Sequence, residues 1–523
     1  MVIYYVENAL RRAIRKAAEE RTWYNTEDQN RAVELLERGV FGDISLAAIQ
    51  GPPGTGKTSV VEKFASKALT DIIVGEERIL LIYVAPTNHL VYETYERIAT
   101  ELVRKGIDMQ TVLRSMRIYG SKIRPFSRPR SVWHFGSEII DEHLLRGCMG
   151  LVDPDEVRVV FTTEFQRVAG RIPKGKFDRI HIIADEASKT PYFRVFLPLA
   201  DRLARHPEEY PESMLVLGDP QQAITVPEEF KELRVPLLMN HVKGVLRRYG
   251  LIDERWRMLT LSFRLPSPSH EPISHGFYEG QLNALYTASE RMQIMRDIVQ
   301  DELNNIIQEL RNRGLLLDSA MERELISAVE TAFSSEIPIL LINTRRFRPG
   351  DTFEEERVKV SFILSALLQG IASRCPEPVS VAVTAPYNDL VGTLAYRFRK
   401  RGLARSIGMP KAITVQAMLG GEADAIITML GKEWTIEDLY HSTALPLRAR
   451  LVIDYYETLY PREPEVLNVQ LSRHRVFLAV IGNLNRLRWM KIRRDERISR
   501  TVYHLLQMGE EERAVYVDLR GSR

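Results

Sequence analysis

The chain has 523 residues, 45% hydrophobic and 27% charged, which is typical of a globular protein with about three domains. Its 72 Lys and Arg residues nearly balance 69 Asp and Glu residues, so any binding to nucleic acid must come from a local groove rather than from bulk charge. No run approaches the roughly 20 apolar residues that a bilayer requires, and two cysteines, Cys148 and Cys375, are too few for a structural zinc site or an iron–sulfur cluster.

The N-terminal residues 1–22 are charged and amphipathic, unlike a signal peptide. They predict a leading helix in a cytoplasmic protein, without association with a membrane.

A glycine-rich segment, Gly51-Pro52-Pro53-Gly54-Thr55-Gly56-Lys57-Thr58, lies between an apolar run at 44–49 and a helical pattern at 59–69. Glycines let backbone N–H groups crowd around phosphate oxygens, while the Lys57 ammonium reaches the β and γ oxygens and the Thr58 hydroxyl ligates Mg²⁺. The segment therefore predicts a P-loop that binds ATP and Mg²⁺. The predicted nucleotide-binding residues in it are Gly51, Gly54, Thr55, Gly56, Lys57 and Thr58.

Two carboxylates end a later apolar run, at Asp185 and Glu186. Parallel sheets present such residues to their ligands, because ligands bind at the carboxyl ends of the strands. We expect Asp185 to hold Mg²⁺ and Glu186 to orient and deprotonate the attacking water, a role typical of a hydrolase rather than a kinase. The alternative is a surface Asp-Glu pair that opens the next helix.

Apolar runs alternate with helical segments in two blocks, which is the pattern of parallel α/β sheets. The first block has runs at 44–49, 79–85, 157–162, 180–185 and 214–218, and the second has runs at 337–342, 379–384, 412–415, 425–430 and 476–481. The predicted fold class is therefore α/β, with two tandem doubly wound parallel-sheet domains.

The domain boundary is expected near Pro266 and Pro268, which interrupt the alternation. The predicted organisation is a leading helix at 1–22, a first domain at 23–265 with a polar, Arg/Pro-rich insertion at about 105–155, a second domain at 266–495 with a charged helical insertion at about 288–336, and a tail at 496–523.

Two basic segments each contain an aromatic residue, at 122–130 with Phe126 and at 486–494 with Trp489. Either could neutralise phosphates, although solvated basic loops are also common.

Short motifs in a fixed order extend these observations. They are Gln29 with Ala32 and Val33, Ala85-Pro86-Thr87-Asn88, Phe161-Thr162-Thr163, Asp185-Glu186-Ala187-Ser188, Gly218-Asp219-Pro220-Gln221-Gln222, Phe263-Arg264, Thr384-Ala385-Pro386-Tyr387, Thr414-Val415-Gln416 through Gly420-Gly421-Glu422-Ala423-Asp424, and the run from Leu467 to Arg475. The set resembles superfamily 1 helicases over about residues 24–483. It resembles specifically the superfamily 1B branch, which includes RNA-decay and replication-associated helicases.

The resemblance implies two RecA-like domains and a role for each matched residue. Catalytic roles are implied for Lys57, Asp185, Glu186, Gln222, Arg264 and the arginine finger Arg473. Nucleotide contacts are implied for Gln29 and Phe263, which would contact adenine, and for Gly420 and Glu422. Contacts with the nucleic-acid backbone are implied for Pro86, Thr87, Asn88, Thr162, Thr163, Pro386, Tyr387 and Thr414. The sequence departs from the usual pattern at Ser262, Leu419 and Gly421.

The expected function is an ATP-dependent helicase or translocase on single-stranded DNA or RNA, with 5′ to 3′ movement implied by the resemblance alone. A second hypothesis is a nucleic-acid-stimulated ATPase that clamps or remodels complexes without unwinding, because little chain precedes the P-loop to form an accessory domain. A third is a P-loop enzyme that does not act on nucleic acid, such as a kinase, which leaves the second α/β block without a use. The sequence predicts no particular protein partner.

Overall fold

The computed structural model describes residues 26–119, 132–135, 138–141, 156–165, 176–222, 235–344, 355–386, 388–403, 408, 410–418, 421–431, 460, 463–489 and 496–519. The leading helix at 1–22, the basic segment at 122–130, Tyr387 and Gly420 lie outside these residues. The chain splits into two compact units. Unit 1 is Met1–Gly51 with Gly56–Leu259, and unit 2 is Pro52–Thr55 with Thr260–Arg523.

Unit 1 is built on a seven-stranded parallel sheet with the strand order β3-β6-β2-β7-β8-β1-β9. The strands of this unit are β1 (Leu46–Gln50), β2 (Ile79–Ala85), β3 (Met116–Tyr119), β4 (Val132–Phe135), β5 (Glu138–Asp141), β6 (Val159–Thr163), β7 (Arg179–Ala184), β8 (Ser213–Gly218) and β9 (Trp256–Met258). Every residue of β2 is buried, as expected for a central strand of a parallel sheet that is covered on both faces. The remaining pair, β4 and β5, is antiparallel and separate from the sheet.

Helices cover both faces of this sheet. They are α1 (Glu27–Phe41), α2 (Lys57–Val74), α3 (Asn88–Arg104), α4 (Met109–Ser115), α5 (Ala200–Arg205), α6 (Leu238–Arg248) and α7 (Ile252–Arg255), with 3₁₀ segments at Ala187–Lys189, Arg194–Leu199 and Pro220–Gln222. One apolar core includes Leu36, Phe64 and Tyr95 from α1, α2 and α3, and a second includes Met239 and Leu246 from α6.

Unit 2 contains a six-stranded parallel sheet with the strand order β14-β13-β15-β16-β12-β17. Its strands are β10 (Leu261–Ser262), β11 (Asn283–Ala284), β12 (Ile339–Asn343), β13 (Val381–Ala385), β14 (Lys411–Thr414), β15 (Ala423–Met429), β16 (His474–Gly482) and β17 (Val515–Asp518). The short strands β10 and β11 pair with each other, outside the large sheet.

The helices of unit 2 are α8 (Glu271–Phe277), α9 (Ala288–Asn312), α10 (Ala320–Ser334), α11 (Glu355–Ala372), α12 (Asn388–Lys400), α13 (Glu465–Leu471), α14 (Leu484–Trp489) and α15 (Glu496–Glu510). Helices α9 and α10 fall in the segment predicted to be helical, and each begins with a capping box, Thr287 with Glu290 and Ser319 with Glu322. Helices α9 to α12 contribute to one large apolar core, while α14 packs against β12.

The predicted α/β class with two doubly wound parallel sheets is confirmed by these strand orders and by the helices that cover the sheets. The structure also adds elements that the sequence pattern missed, among them α15 and β17, which lie in the segment predicted as a tail. Strand β17 pairs with β12 at the edge of the second sheet. None of the described helices has the length and apolar character needed to cross a membrane.

Two buried histidines predict how stability depends on pH. Burial, followed by the nearby Arg179, lowers the pKa of His181 to about 4, and burial, followed by Arg264, lowers the pKa of His474 to about 3. The unfolded histidine has a pKa near 6.5, so the unfolded chain binds more protons below that pH. The stabilisation is therefore complete above about pH 6.5 and falls with decreasing pH, by about 1.4 kcal/mol per pH unit for each histidine.

Urea denaturation at pH 7.5, 6.0 and 5.0 measures this dependence. We expect His181→Asn to flatten it, while His206→Asn, at an exposed histidine, leaves the wild-type dependence in place. Equal pH dependence in wild type and His181→Asn would show that this histidine stays accessible to protons in the folded protein.

Candidate functional site

The glycine-rich segment connects β1 to α2 at the carboxyl edge of the first sheet. Strand β1 ends at Gln50, and the Gly51 N–H donates to the carbonyl oxygen of Gly218 over 2.9 Å. Helix α2 begins at Lys57, and Gly56 precedes it with φ 78° and no side-chain cap. Because the first N–H groups of a helix have no acceptor within it, this end of α2 is suited to phosphate oxygens.

Residues 52–55 of the same segment belong to unit 2. Residues that follow Thr260 form hydrogen bonds with them. The Ser262 hydroxyl donates to the Pro53 carbonyl over 2.9 Å, and the Phe263 N–H donates to the Gly54 carbonyl over 2.9 Å. Gly54 has φ 71°, and a Cβ there would lie 2.3 Å from Cβ of Arg264. Only glycine fits at this point. Ser262, a departure from the resembled motif, therefore binds the P-loop backbone.

Lys57 extends from the first turn of α2 toward the two carboxylates that follow β7. Its Nζ donates to the Gly51 carbonyl over 2.7 Å and lies 3.8 Å from the nearer oxygen of Glu186. Both side chains are partly buried, with 14% and 27% of their surface exposed. The ammonium is thus held over the phosphate-binding loop, beside the predicted general base.

Asp185 and Glu186 follow the last residue of β7. Glu186 has φ 49° and ψ 32°, a left-handed conformation that is uncommon for residues other than glycine and that marks stored strain. Its N–H donates to Asp185 Oδ1 over 2.7 Å, and its carboxylate also lies 3.4 Å from Lys189 Nζ. Such strain persists only where the surroundings enforce it, which is common at functional sites.

Asp185 is buried, with 2% of its surface exposed. Burial raises its pKa to about 6, with the neighbouring Glu186 charge as the next cause, while hydrogen bonding from Tyr83 and the charge of Lys57 act in the opposite direction. Tyr83 donates its hydroxyl proton to Asp185 Oδ2 over 2.8 Å, and burial raises the pKa of Tyr83 well above 10. A carboxylate buried in this way is a candidate ligand for a cation.

Gln222 and Gln29 lie at other edges of the P-loop region of unit 1. Gln222 Nε2 donates to Asp219 Oδ2 over 2.5 Å, and Gln50 Nε2 donates to the other oxygen of Asp219 over 3.2 Å. Gln29, on α1, accepts from Lys63 Nζ over 2.7 Å. A Cβ at Gly56 would lie 2.6 Å from Gln29 Nε2, so this amide packs directly against the loop.

In unit 2, Arg264 forms an ion pair with Glu422. Its Nε donates to Glu422 Oε2 over 2.6 Å, and its Nη1 donates to the Ser472 carbonyl over 3.2 Å. Arg475 donates to the other oxygen of Glu422. Burial raises the pKa of Glu422, but the charges of Arg264 and Arg475 outweigh this effect and hold that pKa below its usual value.

The other predicted residues of unit 2 surround this pair or lie near it. Phe263 is partly buried, and its carbonyl accepts from Arg291 Nη2 over 2.5 Å. Arg473 is 2% exposed, and its carbonyl accepts from Ala423 N over 3.0 Å. Residues 467–474 therefore lie inside the unit, whereas Arg475 is exposed.

The residues predicted to contact nucleic acid differ in exposure. Thr87 is exposed and caps α3, since its Oγ1 accepts from Leu90 N over 3.3 Å. Pro86 and Asn88 are partly buried. Thr162 and Thr163 are 0% and 4% exposed, respectively.

The corresponding residues of unit 2 are Pro386 and Thr414. Pro386 is buried, while Thr414 is partly buried and its Oγ1 accepts from Ala417 N over 3.2 Å. Buried or capping side chains offer few hydrogen-bonding groups to a nucleic-acid strand, so the predicted contacts with nucleic acid depend on the exposed residues and on the backbone.

Sequence reasoning missed the buried polar partners of the site. Tyr83 lies inside the apolar run 79–85, and Thr94 lies 0% exposed on α3. A hydroxyl within an otherwise apolar central strand was the available signal, because such a group needs a partner when it is buried.

The fold and site define an α/β protein with a P-loop. A family model described as an AAA domain matches residues 24–143, which contain the P-loop. The match supports an NTP-hydrolysing enzyme. A comparison with curated proteins found no match.

Solved structures give only a distant likeness. A Dbp5 variant from S. cerevisiae, bound to Nup159, Gle1, IP6 and ADP, has 12% identity and a TM-score of 0.34 over 98% of this chain and 94% of that chain. S. cerevisiae Dbp5 bound to RNA and ADP BeF3 has 11% identity and a TM-score of 0.33 over 98% of this chain and 93% of that chain. The PRRSV helicase nsp10 has 12% identity and a TM-score of 0.18 over 86% of this chain and 55% of that chain. At TM-scores below 0.5 the likeness does not indicate a shared function.

The contact between Gly56 and Gln29 predicts a specific loss of nucleotide binding. Gly56→Ala places a methyl group 2.6 Å from Gln29 Nε2 at a positive φ, so the loop must shift away from its phosphate-binding conformation. We expect at least a roughly tenfold loss of affinity for ADP in fluorescence titration, which corresponds to about 1.4 kcal/mol.

Gly250→Ala is the matched control, since Gly250 also has positive φ, 69°, but no atom lies within 4 Å of an added Cβ. It should lower the thermal midpoint slightly and leave ADP affinity unchanged. Equal ADP affinity for Gly56→Ala and wild type would contradict the assignment of this loop as the phosphate site.

Proposed function

We propose that this protein is an ATP-driven motor of the superfamily 1B helicase kind, which moves along single-stranded DNA or RNA in the 5′ to 3′ direction. The observation that carries the hydrolytic part is the placement of Lys57 beside Glu186 at the carboxyl edge of one parallel sheet, 3.8 Å apart. The ordered motif set supports the nucleic-acid part.

The residues present fit Mg²⁺. The hydroxyl of the partly buried Thr58, on the first turn of α2, and the carboxylate of the buried Asp185 are oxygen ligands, which this hard cation prefers. Thr58 and Asp185 would hold the ion. The bound ion supplies positive charge that neutralises phosphate oxygens.

We assign the first steps of hydrolysis as follows. The amides at the start of α2 and the Lys57 ammonium bind the phosphate oxygens of ATP. Glu186 orients a water and accepts its proton on a carboxylate oxygen as the water oxygen bonds to the γ-phosphorus, and ADP leaves with the electrons of the broken P–O bond. Gln222 is proposed to sense the γ-phosphate, and Gln29 and Phe263 to contact adenine.

Arg264 and Arg473 are the proposed cations for charge that develops on the γ-phosphoryl group. An arginine in that role is worth about 10³ to 10⁵ in rate. Glu422 and Gly420 are proposed to contact the nucleotide. The proposed contacts with the strand are Pro86, Thr87, Asn88, Thr162, Thr163, Pro386, Tyr387 and Thr414.

Glu186→Gln tests the general base, because the amide keeps the size of the side chain but cannot accept the proton. We expect affinity for ATP to stay near that of wild type and single-turnover hydrolysis to fall by about 10² to 10⁴. Lys57→Ala is the companion variant and should lose both binding and hydrolysis. Hydrolysis by Glu186→Gln at the wild-type rate would assign the base to another residue.

The identity of the polymer along which the protein moves, here called the track, is tested by measuring ATP hydrolysis with no nucleic acid, with single-stranded DNA and with single-stranded RNA. We expect strong stimulation by at least one polymer, and the better activator identifies the track. Binding to that polymer should weaken with salt, with a slope of about −0.7 per phosphate neutralised. Absence of stimulation by either polymer would contradict a nucleic-acid motor.

A strand-displacement assay then separates the two nucleic-acid hypotheses. Duplexes with a 5′ or a 3′ single-stranded overhang are unwound by a helicase of matching polarity. Stimulated hydrolysis without displacement of either duplex would favour an ATPase that clamps or remodels complexes.

A further inference from the structure

A chain of hydrogen bonds connects the core of α3 to the predicted metal ligand. Tyr83, 2% exposed on β2, donates to Asp185 Oδ2 over 2.8 Å, and the Tyr83 hydroxyl also lies 3.0 Å from Thr94 Oγ1. Thr94 is 0% exposed on α3. The Tyr83 ring belongs to one of the two apolar cores of unit 1, so its hydroxyl is a polar group at the border of that core.

The donor at each step follows from chemistry. An ionised Asp185 only accepts hydrogen bonds, so the single proton of the Tyr83 hydroxyl is committed to Oδ2. The contact between Tyr83 and Thr94 then requires Thr94 to donate its proton to the Tyr83 oxygen. The other carboxylate oxygen, Oδ1, accepts from the Glu186 N–H over 2.7 Å. Each oxygen of Asp185 therefore has a fixed donor.

The packing contacts of the Tyr83 ring do not depend on its hydroxyl. Its centroid lies 5.5 Å from that of Phe161, which in turn packs edge-on against Tyr95 at 5.3 Å. Phenylalanine at position 83 preserves these ring contacts. A buried hydroxyl costs free energy unless it is bonded, and here one bond goes to the carboxylate of the predicted metal ligand and the other comes from Thr94.

We propose that Tyr83 is a positioning residue which, supported by Thr94, fixes the Asp185 carboxylate in the orientation that binds Mg²⁺. The inference rests on the proposed function, in which Asp185 ligates the ion. Groups that hydrogen-bond a metal ligand fix its orientation, and their removal typically lowers metal affinity by about 10- to 100-fold.

The test measures metal binding directly. Mn²⁺ is titrated into the purified full chain at saturating ADP, with free Mn²⁺ followed by electron paramagnetic resonance. Tyr83→Phe is expected to bind Mn²⁺ about 10-fold more weakly than wild type. The Mg²⁺ concentration for half-maximal ATP hydrolysis should rise by about the same factor, with much of the lost rate recovered at high Mg²⁺.

Three variants separate positioning from packing. Thr94→Val removes the second donor and should weaken Mn²⁺ binding less than Tyr83→Phe, while Thr94→Ser keeps the hydroxyl and should restore wild-type binding. Tyr95→Phe changes a buried tyrosine that packs against the same Phe161 ring and should leave Mn²⁺ affinity unchanged. Thermal midpoints of all variants report on folding.

The outcomes distinguish this inference from the proposed function. Wild type that binds neither ADP nor Mn²⁺ would overturn both. Wild type that binds and hydrolyses, with Tyr83→Phe folded and within twofold of its Mn²⁺ affinity, would overturn the positioning role alone. If Tyr83→Phe fails to fold, Thr94→Val against Thr94→Ser decides, because equal Mn²⁺ affinity in that pair also overturns the role.

Discussion

The parallel register of β1, β8 and β7 is the constraint on which the candidate site depends. Gln50 pairs with Gly218, and Val216 pairs with Ala184, so the three strands end at one edge of the sheet. Neighbouring strands lie about 4.8 Å apart, which separates the ends of β1 and β7 by roughly 10 Å. Lys57, in the first turn of α2, extends into this gap, where its Nζ lies 2.7 Å from the Gly51 carbonyl oxygen and 3.8 Å from Glu186. A slip of one residue in either pairing would turn the carboxylates to the wrong face.

The same register encloses negative charge that the sheet must stabilise. Asp185 is buried, and the adjacent Glu186 adds a second carboxylate in a strained backbone conformation. Removing ions from water costs several kcal/mol each unless partners compensate. The compensation comes from a tyrosine hydroxyl, a backbone N–H and the Lys57 ammonium, all directed at two consecutive residues. Such strain and such concentration of charge are typical of functional sites rather than of structural ones.

Local sequence could predict the parts of the molecule that are continuous in the chain. The P-loop, the Asp185-Glu186 pair and the central strands appear as contiguous motifs or uniform apolar runs. The edge strands β3, β9 and β17 escaped prediction because they are three or four residues long and partly exposed, and so lack a distinctive period. The bond between Tyr83 and Asp185 joins residues 102 positions apart, and that between Arg264 and Glu422 joins residues 158 apart. Contacts of this kind depend on strand order, which a local pattern does not contain.

The ion pair in unit 2 bears on how Arg264 could serve a phosphate. The Arg264 side chain is 12% exposed and makes charge-assisted bonds to Glu422, so its desolvation is already compensated. Transfer of a guanidinium from one anion to another costs less than desolvation of a free guanidinium, and the planar fork of arginine suits both carboxylate and phosphate. Glu422 would keep Arg475 as its partner after such a transfer. Neither charge would then be left buried alone, which is the condition that makes loss of one member of an ion pair costly. The pair therefore fits both the packing of unit 2 and the proposed role of Arg264.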